Sequence, residues 1–182
     1  QVDVEILNKM RNNPRLEDWG NSVFKLVNEL HASNERSFFD HERKANSLEV
    51  FAGDSFNIWN FRTGNIFAYA DPDLVKKKLL SKLSNQKRTS SSVFHGLSFE
   101  GDLKGLLPFE RARIAYRSVS NPTNSRTIIA SLVPPRVILT HISPYVFTLP
   151  GHEREEAFLL GTLSSIPFDF YARKFIETAV DI

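Results

Sequence analysis

Five histidines, His31, His41, His95, His141 and His152, are the obvious metal ligands of this chain. No two stand four residues apart and there is no cysteine to join them, so no zinc-type spacing exists. His141, inside an expected core strand, reads as a hydrogen-bonded structural residue. A hydrolytic serine would need the Gly-x-Ser-x-Gly elbow, which is absent. Phosphate capture by backbone amides needs glycines clustered ahead of a helix, and none of the eight glycines pairs that way. Glu49 and Asp54 could serve a metal-dependent nuclease but lack a following Glu-x-Lys on a strand. A site of two or three acids stays open on spacing alone.

The basic residues say more. If 111–119 is extended, Arg111, Arg113 and Arg117 share one face and Ile114 and Tyr116 the other, because side chains alternate along a strand. Three guanidiniums would then lie within about 20 Å. Arginine suits nucleic acid in two ways, as a fork onto phosphate and as a bidentate partner of guanine in the major groove. The adjoining segment adds Asn121, Asn124, Arg126 and Thr127, which can donate to and accept from base edges. The bland alternative is that these arginines pair with Glu110 or Asp102, or face solvent. Lys76, Lys77, Lys78, Lys87 and Arg88 cluster on or after one expected helix, where long flexible side chains suit phosphate. Lys44 and Arg62 complete the candidate DNA-contacting set. Asn121-Pro122-Thr123-Asn124 is similar to the Asn-Pro-Pro-aromatic tetrad with which amino methyltransferases hold a flipped base. Thr123 stands for the second proline and Asn124 for the stacking aromatic, so the segment reads as a turn.

The elements that must position these groups follow from pattern. A helix is expected over 4–12, stopped by Asn13-Pro14, then a strand over 23–27 and a long polar loop over 31–47. Period-2 spacing predicts short strands at 48–52 and 55–61. Asp71-Pro72 is a helix start, and Leu74, Val75, Leu79 and Leu83 carry the helix over 72–84. Residues 93–107 have no clear assignment. Strands are expected over 113–119, 126–133 and 137–148, with the apolar run from Ile128 to Val133 central in the sheet and covered on both faces. Three acids open a helix over 153–166, and Pro167 begins a final helix over 167–180, so that 153–182 forms a helical pair. The expected fold is α+β, a central mixed or antiparallel sheet flanked by helices in a single domain over 1–182. With 182 residues, 41% apolar and 24% charged, the chain has enough apolar residues for one core, and disorder and coiled coil are excluded. No apolar run approaches the ~20 residues of a membrane span. A net charge of +2 means that any basic face is local.

The run from Arg113 to Pro135, RIAYRSVSNPTNSRTIIASLVPP, resembles the segment that follows the catalytic domain in large single-chain DNA adenine methyltransferases of restriction-modification and phage-defence systems, of the type IIG, Eco57I-like kind. Ala157 to Phe170, AFLLGTLSSIPFDF, with Tyr171 and Arg173 after it, is similar to the same family. So are Glu29 to Asn34, ELHASN, and the stretch from Gly53 to Trp59. The resemblance spans most of 20–180 and is most specific over 113–135. One departure is Phe51-Ala52-Gly53-Asp54, where family members more often carry an acid before the glycine and a lysine after it.

In that family the region is a target recognition domain, which reads a short double-stranded DNA sequence for an S-adenosylmethionine-dependent enzyme. The resemblance implies that the chain is a non-catalytic piece excised from a larger bacterial, cytoplasmic methyltransferase. S-adenosylmethionine would belong to the upstream methyltransferase domain of the parent, with no cofactor and no metal in this segment. Duplex DNA and that upstream domain are the expected partners, without a membrane. A base-modifying enzyme must hold the duplex in register while one base leaves the stack, and a separate reader supplies that position. The alternatives are a docking domain without base readout and an independent nuclease.

Overall fold

The computed structural model describes residues 2–13, 24–90, 92, 94–95, 107–121, 123–176 and 180. Among them are four helices and two four-stranded sheets, an α+β arrangement. In chain order the elements are α1 (Val2–Arg11), β1 (Phe24–Val27), β2 (Phe39–Asp40), β3 (Leu48–Phe51), β4 (Ala68–Ala70), α2 (Pro72–Arg88), β5 (Arg113–Tyr116), β6 (Ala130–Val133), β7 (Val137–Leu139), β8 (Tyr145–Thr148), α3 (Glu153–Leu163) and α4 (Ile166–Arg173).

The first sheet runs β1-β8-β5-β6, antiparallel throughout, and the second runs β2-β4-β3-β7, with β3 and β7 parallel. Both faces of the first sheet are covered. Ile114 and Tyr116 of β5, Ala130 of β6 and Val146 of β8 point into a core closed by Leu159 and Leu163 of α3 and Ala172 of α4. Ala115, Val133, Tyr145 and Phe147 point the other way, into a larger core shared with Leu48, Val50 and Phe51 of the second sheet and with α2. That helix starts where its sequence says it should: the Asp71 carboxylate accepts from the Asp73 and Leu74 N–H groups and Pro72 opens the first turn. Val75, Leu79 and Leu83, four apart, are its buried stripe.

Several expectations are corrected. The segment 137–148 is not one strand: β7 joins the second sheet, the chain turns through Thr140 to Pro144, and β8 joins the first. Proline at 144 and the Ser143 N–H bond to the Thr140 carbonyl make that break. The expected strand 126–133 is paired only over Ala130–Val133, and it is an edge rather than a centre, with Leu132 exposed. The strand 113–119 ends at Tyr116 in its ladder with β6. Residues 55–61 form a turn, not a strand, and the loop 31–47 contains a 3-10 turn at Arg36–Phe38 and the short β2. Helix α2 runs on to Arg88, four residues beyond the expected end, and packs into the larger core. The final helix stops at Arg173, after which Val180 donates to the Ser118 carbonyl and is buried in the smaller core. Val23 and most of 93–107 lie outside the described residues.

Candidate functional site

Arg113 is not at the surface. It is 4% exposed, its guanidinium pairs with Glu29, donates to the Val137 carbonyl and lies over the Tyr145 ring. The other Glu29 oxygen accepts the Leu139 N–H at 2.6 Å. This cluster ties β5 to β7 and so joins the two sheets. Arg111, two residues before, is half-buried near Glu153 and Glu156, whose charges it favours. Alternation predicts a solvent-facing Arg113, but its side of the sheet is interior, because this sheet is covered on both sides.

Arg126 and Thr127 likewise serve the fold. The Arg126 guanidinium donates to the Ser164 and Ser165 carbonyls at the end of α3, at 2.7 and 2.9 Å. Asp169 of α4 accepts both the Thr127 and Ile128 N–H groups, at 2.7 and 2.8 Å. Arg173 donates to the Thr127 hydroxyl and to the Asn124 carbonyl. The 121–128 segment is thereby clamped to the helical pair. Its tip stays outward: the Asn121 side-chain oxygen accepts the Thr123 N–H and hydroxyl, and the Asn124 N–H donates to the Asn121 carbonyl.

The lysines of α2 divide by helix face. Lys76 pairs with Glu110 at 3.2 Å, Lys78 with Glu35 at 2.8 Å, and Lys82 donates to the Asn28 and Glu29 carbonyls. Lys77 and Arg88 are exposed, eleven residues and so about three turns apart on one outward face. Lys87 is half-buried. Lys44 pairs with Asp40 on the surface, and Arg62 pairs with Glu49.

Arg117 is the arginine that connects two loops. It leaves the end of β5, its backbone N–H donates to the Ile129 carbonyl, and its guanidinium donates to the Phe56 carbonyl at 2.6 Å in the loop that follows β3. Its Nε is buried without a hydrogen-bond partner among the described residues. Burial lowers its pKa, with Asp54 acting in the opposite sense, and a guanidinium keeps its charge at neutral pH all the same. Gly53 lies under its alkyl chain, where an added Cβ would meet Cγ at an ordinary 3.7 Å.

The loop that Arg117 braces carries a group to which periodicity gives no weight. Asn57 and Asn60 exchange two backbone hydrogen bonds, at 2.8 and 2.9 Å, around the two-residue tip Ile58-Trp59. Trp59 is 73% exposed and has a φ of +59°, and Phe61, two residues on, is exposed as well. The base of the loop is held by Thr63, which donates from its N–H to Ser55 and from its hydroxyl to Asp54. The signal available in the sequence was the interleaving of Asn57, Trp59, Asn60, Phe61 and Arg62, aromatic rings between amides and a guanidinium, which is a nucleic-acid pattern rather than a strand pattern.

Two histidines that are far apart in sequence meet. His31 and His141 stack with ring centroids 3.8 Å apart, and each uses Nδ1 to accept backbone N–H groups, of Ser33 and Asn34 and of Ala32 respectively. Among the described residues no group of three or more metal-ligating side chains gathers, and no helix is long and apolar enough to cross a membrane.

No protein-family model and no curated protein matches the chain. Among solved structures, the type IIG restriction endonuclease BpuSI is similar at 13% identity and a TM-score of 0.43, over 99% of this chain and 24% of that one. The chain thus spans about a quarter of that protein's length.

Proposed function

We propose that this chain is a sequence-specific reader of double-stranded DNA, serving an S-adenosylmethionine-dependent adenine methyltransferase of the restriction-modification type. The observation that carries the reading is the meeting of two loops at Arg117. One follows β3 in the second sheet and the other follows β5 in the first, and the Arg117–Phe56 bond fastens them together. Their tips present exposed amides. Asn57, Asn60 and Asn121 each spend the side-chain oxygen on a backbone N–H, of Ile58, Arg62 and Thr123. The NH2 group of each is left to donate outward. Rigid loops on two sheets, bearing donors and exposed rings, are what base-edge recognition requires. The resemblance of 113–135 to target recognition segments supports the same reading. In it, methyl transfer and its cofactor belong to the upstream domain, the setting is a bacterial cytoplasm, and this segment supplies register and sequence.

Selection from a random duplex pool at low salt tests it. The 182-residue chain should enrich one short motif, with affinity falling steeply as salt rises. A chain that enriches no sequence is not a reader. A second reading, a domain that docks a partner without touching bases, draws on the apolar surface left exposed at Phe158, Ile166 and Phe175. It predicts no salt-sensitive duplex binding in that experiment.

A further inference from the structure

We infer that the Asn57–Asn60 hairpin is a wedge that enters the minor groove of duplex DNA and stacks the Trp59 ring on an opened base step. The inference deepens the DNA-reading function proposed above and rests on it.

Three features of the hairpin point the same way. The first is strain kept in place. A non-glycine residue at φ +59° occupies the left-handed region, which costs roughly 1–2 kcal/mol for a residue with a Cβ. Glycine or asparagine would relieve that cost, yet the position carries the largest side chain available. Such strain persists where surrounding structure over-determines it, and it clusters at ligand-contacting sites. The surrounding structure here is explicit: the paired Asn57 and Asn60 backbones, the two Thr63 bonds, the Arg117 bond to the Phe56 carbonyl, and the Arg62–Glu49 ion pair.

The second feature is exposure. A tryptophan held 73% in solvent on a braced turn gains nothing for the fold. The third is the polarity of its neighbours. Asn57 and Asn60 form a cross-strand pair, so their side chains share one face of the hairpin. Each side-chain oxygen accepts one backbone N–H, of Ile58 and of Arg62, which fixes the amide orientation and frees both NH2 groups to donate. The minor-groove floor over A·T pairs offers only acceptors, adenine N3 and thymine O2. Apolar side chains inserted from the minor groove part base steps and kink the duplex, the behaviour expected of Trp59.

The experiment uses the 182-residue chain and A·T-rich duplexes carrying 2-aminopurine in place of single adenines, with netropsin as a minor-groove competitor. Wild type should raise 2-aminopurine fluorescence at one step and be displaced by netropsin. Asparagine tolerates the left-handed region, so Trp59→Asn should keep or raise the thermal midpoint while losing the fluorescence change and binding roughly 5- to 100-fold more weakly, the range of one lost base–aromatic stack. Trp59→Phe should retain most of both signals. Trp59→Asn binding with wild-type affinity and the same fluorescence change overturns the wedge and leaves the DNA-reading function standing. Binding that netropsin does not displace overturns the minor-groove assignment. Wild type that binds no duplex at all overturns both.

Discussion

Stacked imidazoles 3.8 Å apart tolerate each other only while both are neutral, and each ring nitrogen that accepts a backbone N–H must be unprotonated. For His141, burial and the neighbouring His31 both lower the pKa below its ordinary value of about 6.5. The unfolded chain therefore takes up a proton at this site at a higher pH than the folded chain does. Stability is complete above about pH 6.5 and is lost as pH falls through that value toward the folded-state pKa. The thermal midpoint should be lower at about pH 5.5 than at about pH 7.5, and His141→Asn, whose side-chain oxygen can accept the Ala32 N–H without titrating, should flatten that difference. Glu35 titrates outside this window: burial raises its pKa but is outweighed by the Lys78 bond and the His31 N–H, so its contribution is lost only below about pH 4.5. An unaltered midpoint difference in His141→Asn would show that His141 does not titrate as described. The buried Glu29–Arg113 pair has a different role. Its charges are held by the Leu139 N–H and the Val137 carbonyl as well as by each other, which fixes the crossing of the two sheets in a way that apolar contacts alone do not.

Between elements, the strongest polar connection is the clamp of α4 on the segment before β6. Asp169 accepts two backbone N–H groups of a segment that, as an edge, has no further strand to satisfy it. Asp169→Ala leaves both N–H groups buried without an acceptor and should cost roughly 3 kcal/mol in urea unfolding, whereas Asp169→Asn, which keeps one oxygen, should cost less than half of that. Equal losses for the two would mean that the charge toward Arg126 and Arg173 matters more than the acceptor. This clamp also explains what could be read from the sequence and what could not. Helix α2 was legible because Asp71, Pro72 and a four-residue apolar repeat agree on one local answer. The α+β class was legible for the same reason. The switch between sheets within 137–148 was hidden, since an apolar run of the right length looks alike whether it serves one sheet or two. Alternation could not tell whether solvent or a second sheet lay beyond Arg113. Arg126 and Thr127 looked like donors for a ligand because their partners, Ser164, Ser165 and Asp169, are about forty residues away. Trp59 was obscured by Phe56 and Ile58, whose spacing of two imitates a strand although the backbone turns.

Over the whole molecule, the net charge of +2 leaves no general attraction for a polyanion, so contacts with a duplex must come from particular cations. Two sets of the candidate cations can supply them. Lys77 and Arg88 lie on the solvent face of α2, and Arg117 lies where the two loops meet. Lys76 pairs with Glu110, seven residues before Arg117, and seven residues of extended chain reach at most about 25 Å. That is less than one turn of B-form DNA, about 34 Å. The two sets differ in freedom. Lys77 ends a long mobile side chain on a helix and suits phosphate, which carries no sequence information, whereas Arg117 is held by the Phe56 carbonyl and a buried Nε and suits a fixed base edge. Lys77→Ala should therefore weaken all duplexes alike and reduce the slope of log affinity against log salt by about one. Arg117→Ala should cost roughly 1–3 kcal/mol on the selected motif and relax preference at one or two positions. Because Arg117 also braces the hairpin, Arg117→Lys is the control: a lysine can still reach the Phe56 carbonyl but lacks the planar fork, so it should restore stability without restoring preference. Site preference measured across a duplex library decides the matter. A changed preference in Lys77→Ala would invert the assignment, and an unchanged one in folded Arg117→Ala would remove Arg117 from the reading surface.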